Sequence, residues 1–166
     1  QKGNQVFNKF YETTDYHQGS IVLWWTPVYS SGDLSSGSVY PMFIANDLHF
    51  SYEYANNRFR FLMGDSESVY VPMSITAGNT YNIVLRWSNS YSLDGTNYAS
   101  VTVDDSHTFD TTSPDSSLDT PGNIYVGNLV TNDRVASGII EGFTIYRRPL
   151  FDGIYGINMT GVDEIA

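Results

Sequence analysis

The side chains best equipped to meet a ligand are flat aromatics and carboxylates. The chain carries 13 Tyr and 3 Trp among its 166 residues. A sugar ring stacks its apolar C–H side on an aromatic face, while amides, carboxylates and arginines read its hydroxyls. In SIVLWWTP (20–27), Ile21, Leu23 and Trp25 fall on one side of an alternating strand. Ser20, Val22, Trp24 and Thr26 fall on the other. Trp25 then reads as core. Trp24 faces away from it, either open to a ligand or covered by a terminal segment. In YNIVLRWS (81–88), Tyr81, Ile83, Leu85 and Trp87 read as core, with Asn82, Val84 and Arg86 opposite. Arg86 is placed to bond a ligand or to pair with a surface carboxylate. Tyr146 alternates against Phe143 and Ile145, either as an exposed aromatic or as a cover for the sheet edge. Tyr91 and Tyr98 flank the loop 88–97, and loop tips are where ligand contacts concentrate. Trp24, Arg86, Tyr91, Tyr98 and Tyr146 are therefore the candidate carbohydrate-binding residues.

Metal is the second chemistry. From Trp87 to Asp133 there are seven Asp and no Lys or Arg. Carboxylates gathered on loops repel one another unless they share a cation, and Ca²⁺ takes six to eight oxygens. Asp94, Asp104 and Asp105 are the candidate calcium ligands, with Asn97 or Asp133 as helpers. The competing reading is a solvated acidic rim that aids solubility. No D-x-[DN]-x-[DN]-G loop is present.

Catalytic signatures are missing. The three histidines, His17, His49 and His107, are scattered, with no H-E-x-x-H spacing. There is no G-x-S-x-G and no phosphate-cradling glycine loop. The chain has no cysteine, which removes disulfides, thiolate metal sites and cysteine nucleophiles. Asp163 and Glu164 are adjacent and would point to opposite faces of a strand. Asn158-Met159-Thr160 is a glycosylation sequon, with meaning only in a eukaryotic secretory source.

The elements that must hold these residues are strands. Leu48, Phe50, Tyr52 and Tyr54 alternate with His49, Ser51 and Glu53, and Phe59, Phe61 and Met63 alternate with Arg58, Arg60 and Leu62. Ala55-Asn56-Asn57 between them reads as a hairpin turn, because Asn tolerates positive φ. That pairing puts Glu53 across from Arg58 or Arg60. Ala99, Val101 and Val103 alternate with Ser100, Thr102 and Asp104. Further strands are predicted over 39–45, 69–75, 123–129 and 138–148, separated by Gly/Ser/Pro-rich turns. No amphipathic helix of about ten residues and no repeat of about 20–50 residues is visible. The pattern predicts an all-β sandwich or barrel in a single domain over 1–166, with 1–18 and 153–166 as peripheral segments.

Composition narrows the partners. Eight Lys+Arg against 18 Asp+Glu give a net charge of −10. So acidic a chain repels a phosphate backbone unless a basic patch intervenes, so nucleic acid and anionic membranes are not expected partners. No apolar run approaches the roughly 18 residues that span a bilayer, so no membrane insertion is expected. The opening QKGNQ lacks an apolar h-region, and no signal peptide is expected there. Charged residues are 16%, against about 25% in typical domains. The surface is then built from Ser, Thr, Asn, Gly and Tyr, which suits an extracellular recognition protein. The same composition also follows from the plain preference of strands for Tyr and Thr.

One family pattern covers residues 19–150. GIIEGFTIYRRPL (138–150) resembles the G-x-I-D-x-h-x-I-Y-x-x-x-L ending of the concanavalin A-like lectin/glucanase superfamily, in particular its laminin-G-like modules. Gly138, Ile140, Phe143, Ile145, Tyr146 and Leu150 hold the matching places, with Glu141 where the family often has Asp. GSIVLWWTP (19–27) resembles the family's first core strand, with Trp24 at the tryptophan position. YNIVLRWS, SVTVDD and PGNIYVGNL resemble later strands, although Tyr81 replaces a usual Trp and Asp104-Asp105 a D-G turn. The resemblance implies a jelly roll of two antiparallel sheets packed face to face. Its members include lectins, glycan-cleaving enzymes and protein-interaction modules, and many hold a calcium at the loop rim. The cleaving members carry carboxylates on alternate residues of one strand, so that both reach one cleft. The nearest counterpart here, Asp65-Ser66-Glu67, lies in a Gly/Ser turn and lacks the third carboxylate. The residues that lyase-like members need are also missing. The expectation is a non-enzymatic, extracellular or cell-surface module of a larger protein or assembly. It would bind a glycan, with calcium as the possible cofactor. The alternative is a protein-interaction domain of an appendage, filament, phage particle or adhesin, with a cell-surface protein as partner. A glycoside hydrolase or polysaccharide lyase is the third class.

Overall fold

The computed structural model describes residues 5–7, 17–33, 39–45, 48–64, 67–104, 106–110, 124–127 and 136–150. Eleven strands run through them: β1 (Gln5–Phe7), β2 (Gln18–Pro27), β3 (Val39–Ala45), β4 (Leu48–Glu53), β5 (Arg58–Met63), β6 (Glu67–Pro72), β7 (Tyr81–Ser88), β8 (Ala99–Val103), β9 (Ser106–Asp110), β10 (Ile124–Val126) and β11 (Gly138–Tyr146). They form two antiparallel sheets, one ordered β1-β10-β3-β4-β5-β6 and the other β11-β2-β7-β8-β9. The protein is an all-β jelly-roll sandwich. Among the described residues the only helix is a single 3-10 turn, Tyr54–Asn56.

Period two builds the core. Ile21, Leu23 and Trp25 of β2 face it with Tyr81, Ile83, Leu85 and Trp87 of β7 and Ala99, Val101 and Val103 of β8. The other sheet supplies Leu48, Phe50 and Tyr52 from β4 and Phe59, Phe61 and Met63 from β5. Aromatic rings close the gap. Trp25 meets Phe59 edge-on at 6.0 Å, and Trp87 meets Phe61 at 5.9 Å. Each such buried ring removes apolar area worth roughly 1.5–3 kcal/mol from water, and edge-to-face pairs add to that.

The β4–β5 hairpin turns as its asparagines require. Asn57 sits at φ 46°, and Glu53 pairs with Arg58 across the ladder. Two prolines mark where ladders change. Pro41 stands at the register shift in β3, and Pro72 ends the edge strand β6, where a missing N–H costs no ladder bond.

The sequence reading places β3 and β7 on the residues observed, and its 69–75 strand is shifted to Glu67–Pro72. Two strands escape it. β9 pairs with β8, and β1 pairs with β10, so the stretch 1–18 contributes β1 and the start of β2 to the sheets. The 153–166 segment lies outside the described residues.

Two buried tyrosines tie the end of the sandwich. Tyr52 donates its hydroxyl to the Met73 carbonyl at 2.8 Å and lies 2.8 Å from the Ser31 hydroxyl. Tyr54 donates to the Tyr29 carbonyl at 3.3 Å. Burial pushes both hydroxyls above the ordinary tyrosine range, with neighbouring Tyr40 adding to the effect at Tyr54. A raised folded pKa stabilises fully below the unfolded value near 10 and is lost as pH climbs toward the folded value. Denaturant midpoints of the wild type should therefore fall between about pH 9 and about pH 11. Tyr54→Phe should lose less over that window. An equal loss in both proteins would contradict the burial of Tyr54.

Candidate functional site

The face of the five-stranded sheet turned away from the core holds most of the candidate residues. β2 is paired on both sides there, with β11 and with β7. Trp24 is opposite Glu141 on one neighbour and Asn82 on the other. Directly opposed side chains in such ladders stand about 4.5–5.5 Å apart at Cβ. The indole is 38% exposed, the one tryptophan among three that reaches solvent. Its ring lies on Gly142, in the bulge of β11 between Glu141 and Thr144. Gly142 has φ 59°, and a Cβ there would run into the indole. Glycine at this position therefore both permits the bulge and gives the ring a flat bed. Ile139, 48% exposed, is opposite Thr26 and extends the apolar surface beside Trp24.

Asn82 and Asp104 are locked together at the same end of the sheet. The Asn82 N–H donates to Asp104 Oδ1 at 2.8 Å, and the Asp104 N–H donates to the Asn82 carbonyl at 2.8 Å. Asp104 sits at φ 48°, where an aspartate is better tolerated than most residues. The result is an exposed indole bordered by an amide and a carboxylate, the donor and acceptor set that a sugar's hydroxyls use. Sequence reasoning found Trp24 but not Asn82 or Glu141. Their signal was the strand register, which a sequence alone does not fix across strands.

The other candidates do not join Trp24. Arg86 is fully buried and donates from one terminal nitrogen to Ser100 at 2.9 Å and Thr102 at 3.2 Å. It is not an exposed reader of ligand hydroxyls. The outward face around it is covered: Val22, Val84 and Leu150 form a second small cluster with Tyr146 packed on it. The Leu150 N–H also donates to the buried Ser20 hydroxyl at 2.9 Å. Tyr146 thus serves as a cover. Arg86 is four residues along β7 from Asn82, so about 13 Å from the Trp24 row. The sequence did carry a hint of this covering. Ser20, Ser88, Ser100 and Thr102 are small and nearly uncharged, as a packed-over face requires.

Tyr91 is 40% exposed and Tyr98 half-buried, in the loop beyond the far end of β7. Ser88 anchors that loop, its N–H donating to the Tyr98 carbonyl at 2.9 Å. Trp24 and Tyr91 therefore stand at opposite ends of the sheet and share no cleft. The calcium set is likewise divided. Asp94 is in this loop, whereas Asp104 follows β8 at the opposite end, about 17 Å away along five strand residues. Asp105 and Asp133 lie outside the described residues. Among the described residues no three His, Cys, Asp or Glu gather as a metal site would require.

Asp94 instead organises its own loop. Oδ1 accepts the N–H groups of Thr96 and Asn97 at 3.0 and 2.8 Å, and Oδ2 accepts the Asn97 amide at 2.8 Å. These bonds, Asn97's first, hold its carboxyl below the ordinary range. A depressed folded pKa stabilises above the unfolded value and is lost as pH falls through the folded one. Protection factors of the Thr96 and Asn97 amides, taken against intrinsic exchange at each pH, should fall in acid. Asp94→Ala should reproduce that loss of protection at neutral pH. Unchanged protection in the variant would contradict the Asp94 turn.

No family model and no curated protein matches the chain. Solved structures do match in shape. A Trypanosoma rangeli sialidase in complex with 2,3-difluorosialic acid, a covalent intermediate, superposes with a TM-score of 0.56 at 17% identity, over 80% of this chain and 21% of the sialidase. A heptameric SAP-like pentraxin from Limulus polyphemus gives 0.52 at 14% identity, over 80% of this chain and 64% of that one. A mutant of the Trypanosoma rangeli sialidase displaying trans-sialidase activity gives 0.52 at 18% identity, over 80% and 21%. The chain thus spans about a fifth of the sialidases and under two thirds of the pentraxin. The likeness shows a shared jelly-roll-like β-sandwich.

Proposed function

We propose that the protein is a non-catalytic, extracellular recognition module that binds carbohydrate, of the concanavalin A-like, laminin-G-like kind. The observation that carries this reading is Trp24. An indole 38% exposed, bedded on Gly142 and bordered by Asn82 and Glu141, has the composition of a sugar-stacking platform. A tryptophan in the middle of a paired strand is ordinarily worth burying, so leaving it open forgoes apolar burial. The sugar's apolar face would supply that burial. The neighbouring amide and carboxylates would read its hydroxyls. The family resemblance supports the same reading, as do the sialidase and pentraxin shapes. The domain would belong to a larger surface protein or assembly. Among the described residues no helix is long and apolar enough to cross a membrane.

A second reading has its own observation. Ile139 is exposed beside Trp24, Val28 and Tyr29 are exposed just past the end of β2, and among the described residues β11 is the outer strand of its sheet. An apolar patch at an open strand edge suits a protein partner in an assembly.

A glycan array with and without calcium, using the wild type beside Trp24→Ala, separates these readings. The expected result is a set of hits that Trp24→Ala loses by about tenfold or more in affinity, the scale of a lost stacking contact. Neutral-glycan hits that survive the substitution would move the site to the Tyr91/Tyr98 loop. A blank array from a folded domain would overturn the glycan reading in favour of the protein partner.

A further inference from the structure

The six-stranded sheet carries a different chemistry on its own outward face. The chain has only eight Lys+Arg, and two of them, Arg58 and Arg60, project side by side from that face of β5. Among the described residues only Glu53 pairs with them. The Arg58 Nε donates to Glu53 Oε2 at 2.6 Å, and an Arg60 terminal nitrogen lies 3.5 Å from Glu53 Oε1. Glu53 is 8% exposed and also accepts from the Asn56 amide at 3.4 Å. One carboxylate against two guanidiniums leaves a surplus positive charge in a chain of net charge −10.

Both arginines are held in place before any ligand arrives. The Arg58 guanidinium carbon lies over the Tyr70 ring, 3.8 Å from its centroid. Arg60 donates Nε to the Ser68 hydroxyl at 3.1 Å. Yet their side chains remain 31% and 34% exposed. Arg58 spends only Nε on its protein partners among the described residues, and Arg60 spends Nε and one terminal nitrogen. The remaining terminal N–H groups form one fork on Arg58, with a single terminal nitrogen of Arg60 beside it. A fork of that geometry matches the two oxygens of a carboxylate. The ordering entropy that long side chains usually lose on binding is already lost here. Like charges at this spacing also repel, so an anion relieves strain that Glu53 offsets only in part.

We infer that Arg58 and Arg60, steered by Tyr70, Ser68 and Glu53, form a site for the carboxylate of an acidic sugar. This site is on the opposite sheet from Trp24, so it stands or falls separately from the neutral platform. The acid can come from a uronic acid or from a sialic acid, and the probes distinguish them.

The test is titration calorimetry with tetragalacturonate, with sialyllactose, and with lactose as the neutral control. The expected result is binding of at least one acidic probe over lactose, weakened by added salt. Arg60→Gln should lower that affinity by about tenfold, the scale of a lost charge-assisted bond. Glu53→Gln should raise it, by about threefold or more, because it removes the competing carboxylate. Trp24→Ala should leave it unchanged. The rise in Glu53→Gln is a gain that a misfolded variant cannot mimic. No binding of either acidic probe would overturn the inference. So would binding equal to that of lactose, or affinity indifferent to both Arg60→Gln and Glu53→Gln.

Discussion

The structure depends on the register of β2. Trp24 and Trp25 are consecutive, so a strand must send one inward and the other outward. β2 is held on both sides, by β7 over eight residue pairs from Gln18 to Trp25 and by β11 around the bulge. Trp25 goes in, where its Nε1–H donates to the Ala136 carbonyl at 3.1 Å and its ring meets Tyr52 and Phe59. A slip of one residue would exchange the two indoles and expose Ile21 and Leu23 with them. The inward indole therefore fixes the outward one. The candidate platform is a by-product of core packing and takes its rigidity from it.

Close approach at both ends of β2 reinforces that register. At Gly19 a Cβ would meet the Trp87 ring at 2.7 Å, so only glycine lets the β7 tryptophan lie across the strand. At Gly142 the same absence of a side chain lets Trp24 settle on β11. Between them the outward face changes character along its length. Near Gly19 it is packed over, with Arg86 and Ser20 fully buried. Near Gly142 it is open, with Trp24, Glu141 and Ile139 in solvent. A charged group buried at one end and an apolar ring exposed at the other reverse the usual partition. The buried Arg86 is satisfied in part by Ser100 and Thr102 hydroxyls, which is what makes its burial tolerable.

Much of this was legible in the residues because period two is a local signal. The core faces of β2, β4, β5 and β7 follow from alternation alone, and so does the outward placement of Trp24, Arg58, Arg60 and Arg86. What alternation cannot supply is cover. It puts Trp24 and Arg86 on one face without telling that Leu150 and Tyr146 pack near one end and not the other. Nor does it supply distance along a sheet, which separates Asp94 from Asp104 and Tyr91 from Trp24. β9 was missed because SHTFD is mostly polar and gains its order from pairing with β8. β1 was missed because three residues are too few to show a period. The Glu53–Arg58 pairing was legible, since a short turn fixes hairpin register. The stacking of Arg58 on Tyr70 was not, because it depends on which strand lies next to β5.

The central claim is that β2 buries Trp25 and presents Trp24. Hydrogen exchange of the three indole N–H groups, followed by NMR, tests it without any ligand. The account predicts that Trp25 and Trp87 exchange only with global unfolding, while Trp24 exchanges fast and shifts with solvent composition. Slow exchange at Trp24 equal to that at Trp25 would contradict it, and would remove the platform on which the recognition reading stands.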